Sequence, residues 1–266
     1  MPPYTACWSA LVLIKCILVG LAERPGSTQR RGSPPPFLFL RGFVSELSIF
    51  IDESGDFGSN SENYLLTLVF HDQSNCIDAE IQALAHRVQE LGLPSDRALH
   101  AGPIVRKEDE YRSVPLSTRR AALSRLYAFT RRTGVSYITI SVRKKECPDR
   151  IRLKARLARE LAGFFRDNMA YFLSFDKVTV YYDNGQSPIT ELVGTVCGSV
   201  FFEVDYRKVV PSDYRLFQSA DLLCTLELVR IKADRRGLSH SEEIFFESTR
   251  KLKKNYLDKL EKIRFR

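Results

Sequence analysis

The sequence predicts an α/β protein with one mixed sheet of five strands and helices on the faces of the sheet. Three β-rich runs come first, and strands then alternate with helices to give the order β-β-β-α-β-α-β-α. A helical insertion separates the second strand from the third. Adjacent strands followed by alternating strands and helices are typical of a single mixed sheet.

Each predicted strand is a short run rich in β-branched and aromatic residues, and turn residues bound it. The first strand ends in the acidic turn 52–58, the fourth ends at Asp183, and Pro211 ends the fifth. The predicted strands are 47–51, 64–70, 136–142, 178–182 and 202–210.

The helices are predicted from apolar residues at helical spacing and from residues that start or stop helices. Gly92 ends the first helix, Ser117 caps the second, and Pro188 suits the first turn of the fourth. The fifth is apolar on nearly every side, so we expect it to be buried. The predicted helices are 77–91, 117–132, 150–173, 188–200, 217–231 and 242–262; the first two form the insertion at about 75–133, and the last is a basic C-terminal helix at about 241–263.

The composition is that of a folded globular protein. Of the 266 residues, 44% are hydrophobic and 27% are charged, which excludes the disordered and fibrous classes. A net charge of +8 is compatible with a polyanionic partner. The six cysteines have neither the spacing of a zinc site nor that of a disulfide framework, so we expect reduced thiols and a cytoplasmic location.

The first 43 residues differ from the rest of the chain. They contain one acid and five bases, and residues 25–36 have the composition of a loop. The apolar run 10–22 contains Lys15, is too short to span a bilayer and follows no basic residue. We therefore expect no membrane segment, and a signal peptide is the less favoured alternative. We predict that 1–43 is a disordered extension and that 44–266 is a single folded domain.

Three aspartates lie at the ends of predicted elements. Asp52 ends the first strand, Asp183 ends the fourth, and Asp221 lies in the first turn of the buried helix. If the first and fourth strands are neighbours, two of these carboxylates share one edge of the sheet, and a helix across that edge adds the third. Crowded carboxylates repel each other unless cations lie between them, and hard oxygen ligands favour Mg²⁺ or Mn²⁺. Two such ions can support the cleavage of a phosphodiester bond.

Each of these acids also has a structural interpretation. Asp52 can accept hydrogen bonds from nearby backbone N–H groups. Asp183 precedes Asn-Gly, which is a turn signal, and Asp221 complements the dipole at the start of a helix. The metal-site interpretation gains support because Asp221 lies on an otherwise apolar helix, where a buried carboxylate needs a partner.

Two other kinds of site receive little support from the sequence. An EF-hand calcium loop is excluded because Phe57 stands where glycine is needed and Asn63 stands where glutamate is needed. Nucleophilic catalysis lacks a motif, since Ser54 and Gly55 do not form G-x-S-x-G. His100 lies in a predicted loop, where a histidine is more often solvated than functional.

Four short segments carry a resemblance to a known family. Residues 48–58 contain a DESG motif, residues 99–101 read LHA, residues 182–183 end a predicted strand with an acid, and residues 218–223 contain a Q-x-A-D-L motif. These segments resemble the opening motif, the middle segment, the fourth-strand acid and the closing motif of the domain-of-unknown-function family labelled 3800. The resemblance spans about 44–235.

The resemblance implies a ribonuclease H-like fold with the sheet order 3-2-1-4-5 and a site at Asp52, Asp183 and Asp221. Next to these acids it places the neighbouring residues Glu53, Ser54, His100 and Gln218. Better-known ribonuclease H-like enzymes have a second acid or a histidine where this chain has Gln218. The difference is compatible with a one-metal site, or with a second ion held by Glu53 or Asp56.

A basic surface is predicted on two helices. Residues 106–166 contain 17 bases and six acids. Arg152, Arg156 and Arg159 recur at helical spacing, and such a stripe can follow the phosphates of a nucleic acid. A solvated charged face is the alternative. Because the stripe accompanies a predicted phosphodiesterase site, we expect it to bind the substrate.

The leading hypothesis is a divalent-metal-dependent nuclease that hydrolyses phosphodiester bonds of RNA or DNA. Asp52, Asp183 and Asp221 would hold Mg²⁺ or Mn²⁺. Glu53 would complete the shell or position water, and His100 would contact a phosphate or assist proton transfer. The remaining substrate contacts are assigned to Ser54, Gly55 and Gln218.

Two alternatives stay open. One is a non-catalytic module on the same fold that binds nucleic acid or protein, with the acids serving as caps and turns. The other is phosphoryl chemistry on a small molecule, which does not need a long basic stripe. The sequence does not distinguish RNA from DNA, or one metal from two, and it does not indicate an oligomeric state.

Overall fold

The structure is a computed structural model that describes residues 44–55, 61–147, 149–183, 185–208, 212–235 and 237–266. The predictions for residues 1–43, and the suggested metal ligand Asp56, lie outside the described residues. None of the helices in the described part of the chain combines the length and the apolar composition that a membrane crossing would need.

Five strands form one mixed sheet in the order β3-β2-β1-β4-β5. The strand β1 pairs antiparallel with β2, and β2 pairs antiparallel with β3, whereas β1 with β4 and β4 with β5 are parallel pairs. The predicted fold class is confirmed, including the ribonuclease H-like strand order. The strands are β1 (Glu46–Ser54), β2 (Asn63–Asp72), β3 (Ser136–Arg143), β4 (Lys177–Tyr182) and β5 (Val204–Lys208).

Helices cover both faces of this sheet. The insertion between β2 and β3 contains three helices, of which the middle one has only six residues. The helices are α1 (Asp78–Gln89), α2 (Ala101–Arg106), α3 (Leu116–Arg132), α4 (Arg150–Asp167), α5 (Met169–Phe172), α6 (Ser187–Val200), α7 (Arg215–Asp234), α8 (His240–Phe246), α9 (Thr249–Leu252) and α10 (Asp258–Leu260), with a π-helical turn at Lys253–Leu257.

The sheet separates two hydrophobic clusters. On one face, the side chains of Leu47, Ile49 and Ile51 pack with α4 and α6. On the other face, Phe50 packs with α1, α2, α3, α7 and α8. Since side chains alternate along a strand, Asp52 continues the phase of Phe50 and lies on the α7 side. Residues on β1 thus support both clusters and lead directly into the acidic turn.

Several predicted elements differ from those in the structure. The predicted helix 150–173 is two helices, because Asn168 leaves helical geometry between α4 and α5. The predicted terminal helix 242–262 is also interrupted, since Glu247 has a φ of 63° and ends α8. The fifth strand begins at Val204, two residues later than predicted, and residues 209–210 lie outside the described residues. Ser117 does not cap α3, which begins at Leu116 after Pro115.

Candidate functional site

The predicted acidic residues line one cavity of about 210 Å³ at the ends of β1 and β4. This cavity, called the acid cavity below, includes residues from four separate parts of the chain. The predicted site residues that line it are Asp52, Glu53, Ser54, His100, Asp183 and Asp221. Gly102, Pro103, Arg106, Phe217, Cys224 and Thr225 complete its walls.

The sheet order explains why the two strand-end acids meet. Because β1 and β4 are parallel neighbours, with Ile51 opposite Tyr182, the next residues along the two strands are Asp52 and Asp183. The helix α7 packs across β1 and β2 and adds Asp221 from above the sheet. The three acids therefore converge as the sequence predicted.

Asp221 is fixed by donors from two directions. Its Oδ2 atom accepts a hydrogen bond of 3.0 Å from the backbone N–H of Ala101, and its Oδ1 atom accepts one of 3.3 Å from Thr225 Oγ1. His100 Nδ1 lies 3.4 Å from Asp221 Oδ2. This hydrogen bond raises the pKa of His100 above its usual range, although burial opposes the shift. The His100 imidazole thus faces the acid cavity rather than bulk solvent alone.

The surroundings of Asp52 in the acid cavity disfavour its ionised form. Burial raises the pKa of its carboxyl well above the usual range, and the negative charges of Asp221, Glu53 and Asp183 raise it further. The backbone N–H of Glu53 opposes this shift only in part. A carboxylate in these surroundings becomes more stable when a cation enters the cavity.

Glu53 is the second acid with a shifted pKa. Burial raises the pKa of its carboxyl to about 7, although a hydrogen bond from the Tyr182 hydroxyl opposes the shift, and the charge of Asp183 adds to it. Its Oε2 atom is buried and lacks a hydrogen-bond partner among the described residues. An uncompensated carboxylate oxygen at this position is a free ligand or acceptor.

Gly185 lets Glu53 and Asp183 approach each other. A Cβ atom on Gly185 would lie 2.8 Å from Glu53 Oε1 and 3.2 Å from Asp183 Oδ1, so no larger residue fits without displacing them. The Gly185 N–H also donates a hydrogen bond of 2.9 Å to Asp183 Oδ1. Asp183 therefore forms the turn expected from its structural interpretation and also lines the acid cavity.

The donor chemistry of the acid cavity fits a hard divalent cation. Its ligating groups are carboxylate oxygens, which Mg²⁺ and Mn²⁺ prefer, and one of them is the unpartnered Glu53 Oε2. As the side chains stand, no group of three or more His, Cys, Asp or Glu among the described residues is arranged to hold a metal ion.

Two residues predicted to contact substrate have structural contacts instead. Gln218 is only 1% exposed, and its Oε1 atom accepts a hydrogen bond of 3.1 Å from the Leu99 N–H. It holds the segment that carries His100 and does not line the acid cavity. Gly55 has a φ of 107°, and a Cβ atom there would lie 2.6 Å from the Asn63 carbonyl, so the turn requires glycine.

The predicted arginine stripe lies elsewhere. Leu153, Leu157 and other buried residues of α4 belong to the cluster on the sheet face opposite α7. Arg152, Arg156 and Arg159 line grooves beside α4 and do not line the acid cavity. Their assignment to substrate binding stays a prediction, since helical spacing defines a stripe on a helix but not the sheet face that the helix covers.

Arg106 is the cation that sequence reasoning did not single out. It ends α2, lines the acid cavity, and donates from Nε to Glu108 Oε2 at 2.9 Å. Its guanidinium lies against Gly102, where a Cβ atom would come within 2.9 Å of it. In the sequence, Arg106 is only one of many bases. The only feature that could have associated it with the site is its closeness to His100, six residues earlier in the chain.

Comparisons with known proteins give fold-level similarity only. The chain is similar to the ribonuclease H2 from Pyrococcus horikoshii OT3, with 14% identity, a TM-score of 0.36, and coverage of 72% of this chain and 77% of that chain. It is also similar to a chain in the PCNA:RNase HII complex from Archaeoglobus fulgidus, with 15% identity, a TM-score of 0.36, and coverage of 80% and 89%. Neither similarity is close enough to transfer an activity or a ligand. No family model and no curated protein sequence matches the chain.

Proposed function

We propose that this protein is a divalent-metal-dependent nuclease that cleaves phosphodiester bonds of RNA or DNA. The observation that carries the proposal is the convergence of Asp52, Asp183 and Asp221 on one cavity, where their charges act on each other. Like charges are brought together at this cost when a bound cation or a reaction needs them.

The chain's own residues have distinct roles in this proposal. Asp52, Asp183 and Asp221 hold Mg²⁺ or Mn²⁺, which supplies Lewis-acid activation of the phosphodiester when bound. Glu53, with its pKa near 7, accepts a proton from the attacking water. His100 and Arg106, which line the same cavity, act as donors to the substrate phosphate.

We also propose that the chain is a member of the domain-of-unknown-function family 3800. All four segments that resemble the family contribute a residue to the acid cavity or to its support, although they are far apart in sequence. The described cysteines are not in disulfides, which supports the proposed cytoplasmic location. Nucleic acid is the proposed substrate.

A non-catalytic binding module is the second candidate. It is favoured by one observation, which is that Asp183 and Asp221 already accept backbone hydrogen bonds that shape a turn and a loop. In this case the acid cavity would bind no metal, and the same acids would serve the fold alone.

A metal titration separates the two candidates. We expect Mn²⁺ to raise the melting temperature of the full chain, since a ligand at 100 times its Kd stabilises the folded state by about 2.7 kcal/mol. Asp183→Asn removes the charge but keeps the turn-forming Oδ1, so it should fold normally and lose both the Mn²⁺ response and the cleavage of labelled RNA or DNA. Asp205→Asn on the neighbouring strand β5 is the matched control and should behave as the parent.

Retained cleavage by the Asp183→Asn variant, with unchanged metal dependence, would exclude the nuclease proposal. A parent protein that shows neither stabilisation by Mn²⁺ nor cleavage would support the binding module. Turnover of a chromogenic phosphomonoester without nucleic-acid cleavage would instead indicate chemistry on a small molecule.

A further inference from the structure

Among the described residues, nothing pairs with the outer backbone edge of β3 over most of its length. The Tyr137 N–H donates to the Ile263 carbonyl at 3.0 Å, and the Tyr137 carbonyl accepts from the Phe265 N–H at 2.8 Å. The backbone groups of Tyr137 therefore point away from β2. Because these groups alternate along a strand, those of Thr139 and Ser141 also point outward. Among the described residues, no backbone hydrogen bond to this side of Thr139 or Ser141 is present.

The edge already accepts an extended segment. Arg264 forms a parallel bridge with Tyr137, so Ile263–Phe265 acts as a short added strand at the start of β3. The edge past Tyr137 has the same geometry and lies along a groove. An unpaired edge of this kind is a template for another extended chain.

The groove beside this edge is large and mainly basic. It has a volume of about 790 Å³ and lies between β3, α4 and the residues 264–266. A second groove of about 470 Å³ continues along α4 past Arg152. The first groove is lined by five arginines and two acids: Arg156, Arg159, Arg166, Arg264 and Arg266 against Glu160 and Asp167.

Part of this positive charge is not neutralised locally. Arg156 pairs with Glu160 at 2.7 Å and Arg166 pairs with Asp167 at 3.1 Å. Arg159 and Arg266 are exposed, and neither forms an ion pair with another residue in the described ranges. Within the described ranges, the groove therefore offers guanidinium groups without an ion-pair partner next to backbone groups without a hydrogen-bonded neighbour.

We propose that the β3 edge binds an acidic extended peptide segment of a partner protein as an added strand. The helix from Arg152 to Arg166 spans about 21 Å at 1.5 Å per residue. Six extended residues cover about 20 Å, so one such segment matches the line of arginines. Acidic side chains at every second position face α4, and the backbone pairs with Thr139 and Ser141.

A single-stranded nucleic acid matches this groove less well. Its phosphates can contact the same arginines, but a sugar-phosphate backbone has no N–H groups for the outward carbonyls of Thr139 and Ser141. The alternation of donors and acceptors along the edge favours a peptide. This site is separate from the acid cavity, so the inference does not depend on the proposed nuclease function.

Binding of a labelled synthetic peptide to the full chain tests the inference. The probe is an acetylated and amidated hexapeptide with glutamate at alternate positions between valine and threonine. Its fluorescence anisotropy should rise on binding to the parent. Ser141→Pro removes an outward N–H but no hydrogen bond to β2, and should weaken binding at least tenfold. Arg159→Glu should do the same through charge.

Matched controls make the result specific. Arg132→Glu reverses an exposed charge at the end of α3 and should bind the peptide as the parent does. A peptide with glutamine in place of glutamate should bind at least tenfold more weakly. Thermal melting checks that the Ser141→Pro variant folds. If it does not fold, the peptide binding of the Arg159→Glu variant tests the inference.

Three results would overturn the inference. The first is no binding of the acidic peptide to the parent. The second is equal binding by the parent and by both the Arg159→Glu variant and a folded Ser141→Pro variant. The third is that the protein binds a labelled single-stranded oligonucleotide but not the peptide, and that Arg159→Glu weakens this binding while Ser141→Pro does not.

Discussion

At the scale of single residues, Asp52 shows how the acid cavity opposes stability. Burial and three neighbouring carboxylates raise its pKa, so the folded state favours the protonated form. An acid of this kind contributes stability at low pH that is lost as the pH rises through the range between its unfolded and folded pKa values. Functional sites are often less stable than the rest of a fold for this reason.

We expect Asp52→Asn to stabilise the metal-free protein at pH 8. The change removes a disfavoured negative charge at nearly constant size, and the gain should be on the order of 1 kcal/mol, or about 2–4 °C in melting temperature. The difference from the parent should shrink at pH 5, because protonation of a carboxyl with a raised pKa requires less free energy as the pH falls. Thermal melting in a chelator at both pH values measures this.

Added Mn²⁺ should reverse the ranking, because the parent gains stability from the ion and the variant loses a ligand. Asp205→Asn, outside the acid cavity, is the control for a lost aspartate charge. A variant that melts below the parent in a chelator at pH 8 would show that Asp52 is held by favourable contacts instead of being repelled.

His71, at the other end of the sheet, is a buried histidine whose protonation affects stability. It is only 4% exposed, and burial lowers the pKa of its imidazole, while the Asn75 backbone and Asp72 oppose the shift in part. A base with a lowered folded pKa contributes stability above its unfolded pKa of about 6.5, and this stability is lost as the pH falls.

We therefore expect the melting temperature of the parent to fall between pH 7 and pH 5 relative to that of His71→Gln, which cannot take up the proton. Subtracting the two curves removes the contributions of the acids, which both proteins share. His86→Gln, which alters an exposed histidine on α1, is the control for the loss of an imidazole. Parallel curves for the parent and His71→Gln would contradict the prediction.

At the scale of secondary-structure elements, α7 organises one side of the acid cavity. It carries Asp221 and, three residues earlier, Gln218, which accepts the Leu99 N–H in the buried interior. Both residues therefore hold the segment 99–101, on which His100 lies. One helix thus supplies an acid to the cavity and also places the histidine that faces that acid.

We expect Gln218→Leu to destabilise the protein by about 1–3 kcal/mol, since the buried Leu99 N–H loses its acceptor. The stabilisation by Mn²⁺ should also weaken, because the loop that donates to Asp221 is less ordered. Urea unfolding and a Mn²⁺ titration measure the two effects. Gln82→Leu, on the exposed face of α1, is the matched control. An unchanged unfolding midpoint for Gln218→Leu would show that this hydrogen bond is dispensable.

The elements also show what sequence patterns can predict. The strands were predictable because their apolar residues alternate, as in Leu47, Ile49 and Ile51, and bury one face. The end of α8 at Glu247 was not predictable, because nothing in the sequence indicates that a glutamate adopts a positive φ. Asp52 and Asp183 could be predicted from their positions at strand ends, and Asp221 from its position on an otherwise apolar helix. Arg106 could not, since its approach depends on the local fold of α2.

At the scale of the whole molecule, the acidic and the basic side chains lie at different parts of the sheet, just as the two hydrophobic clusters lie on its different faces. The acid cavity lies at the ends of β1 and β4 under α7. The groove that is lined by five arginines lies beside β3 and α4. A sequence pattern places Arg152, Arg156 and Arg159 on one helix, but only the packing of Leu153 and Leu157 shows which face that helix covers. Arg106 and His100 therefore line the acid cavity, while the arginines of α4 line a separate groove.

The two hydrophobic clusters that the described residues form lie between Leu47 and Phe265. We expect the fragment 44–266 to unfold in one cooperative transition with a melting temperature within a few degrees of that of the full chain. Removing residues 1–43 deletes five bases and one acid, so its net charge falls to +4. Calorimetry of the fragment and the full chain makes the comparison, with Leu157→Ala as a fragment variant that should lose about 2–5 kcal/mol from the buried core. A fragment that has no cooperative transition would show that residues 1–43 belong to the folding unit.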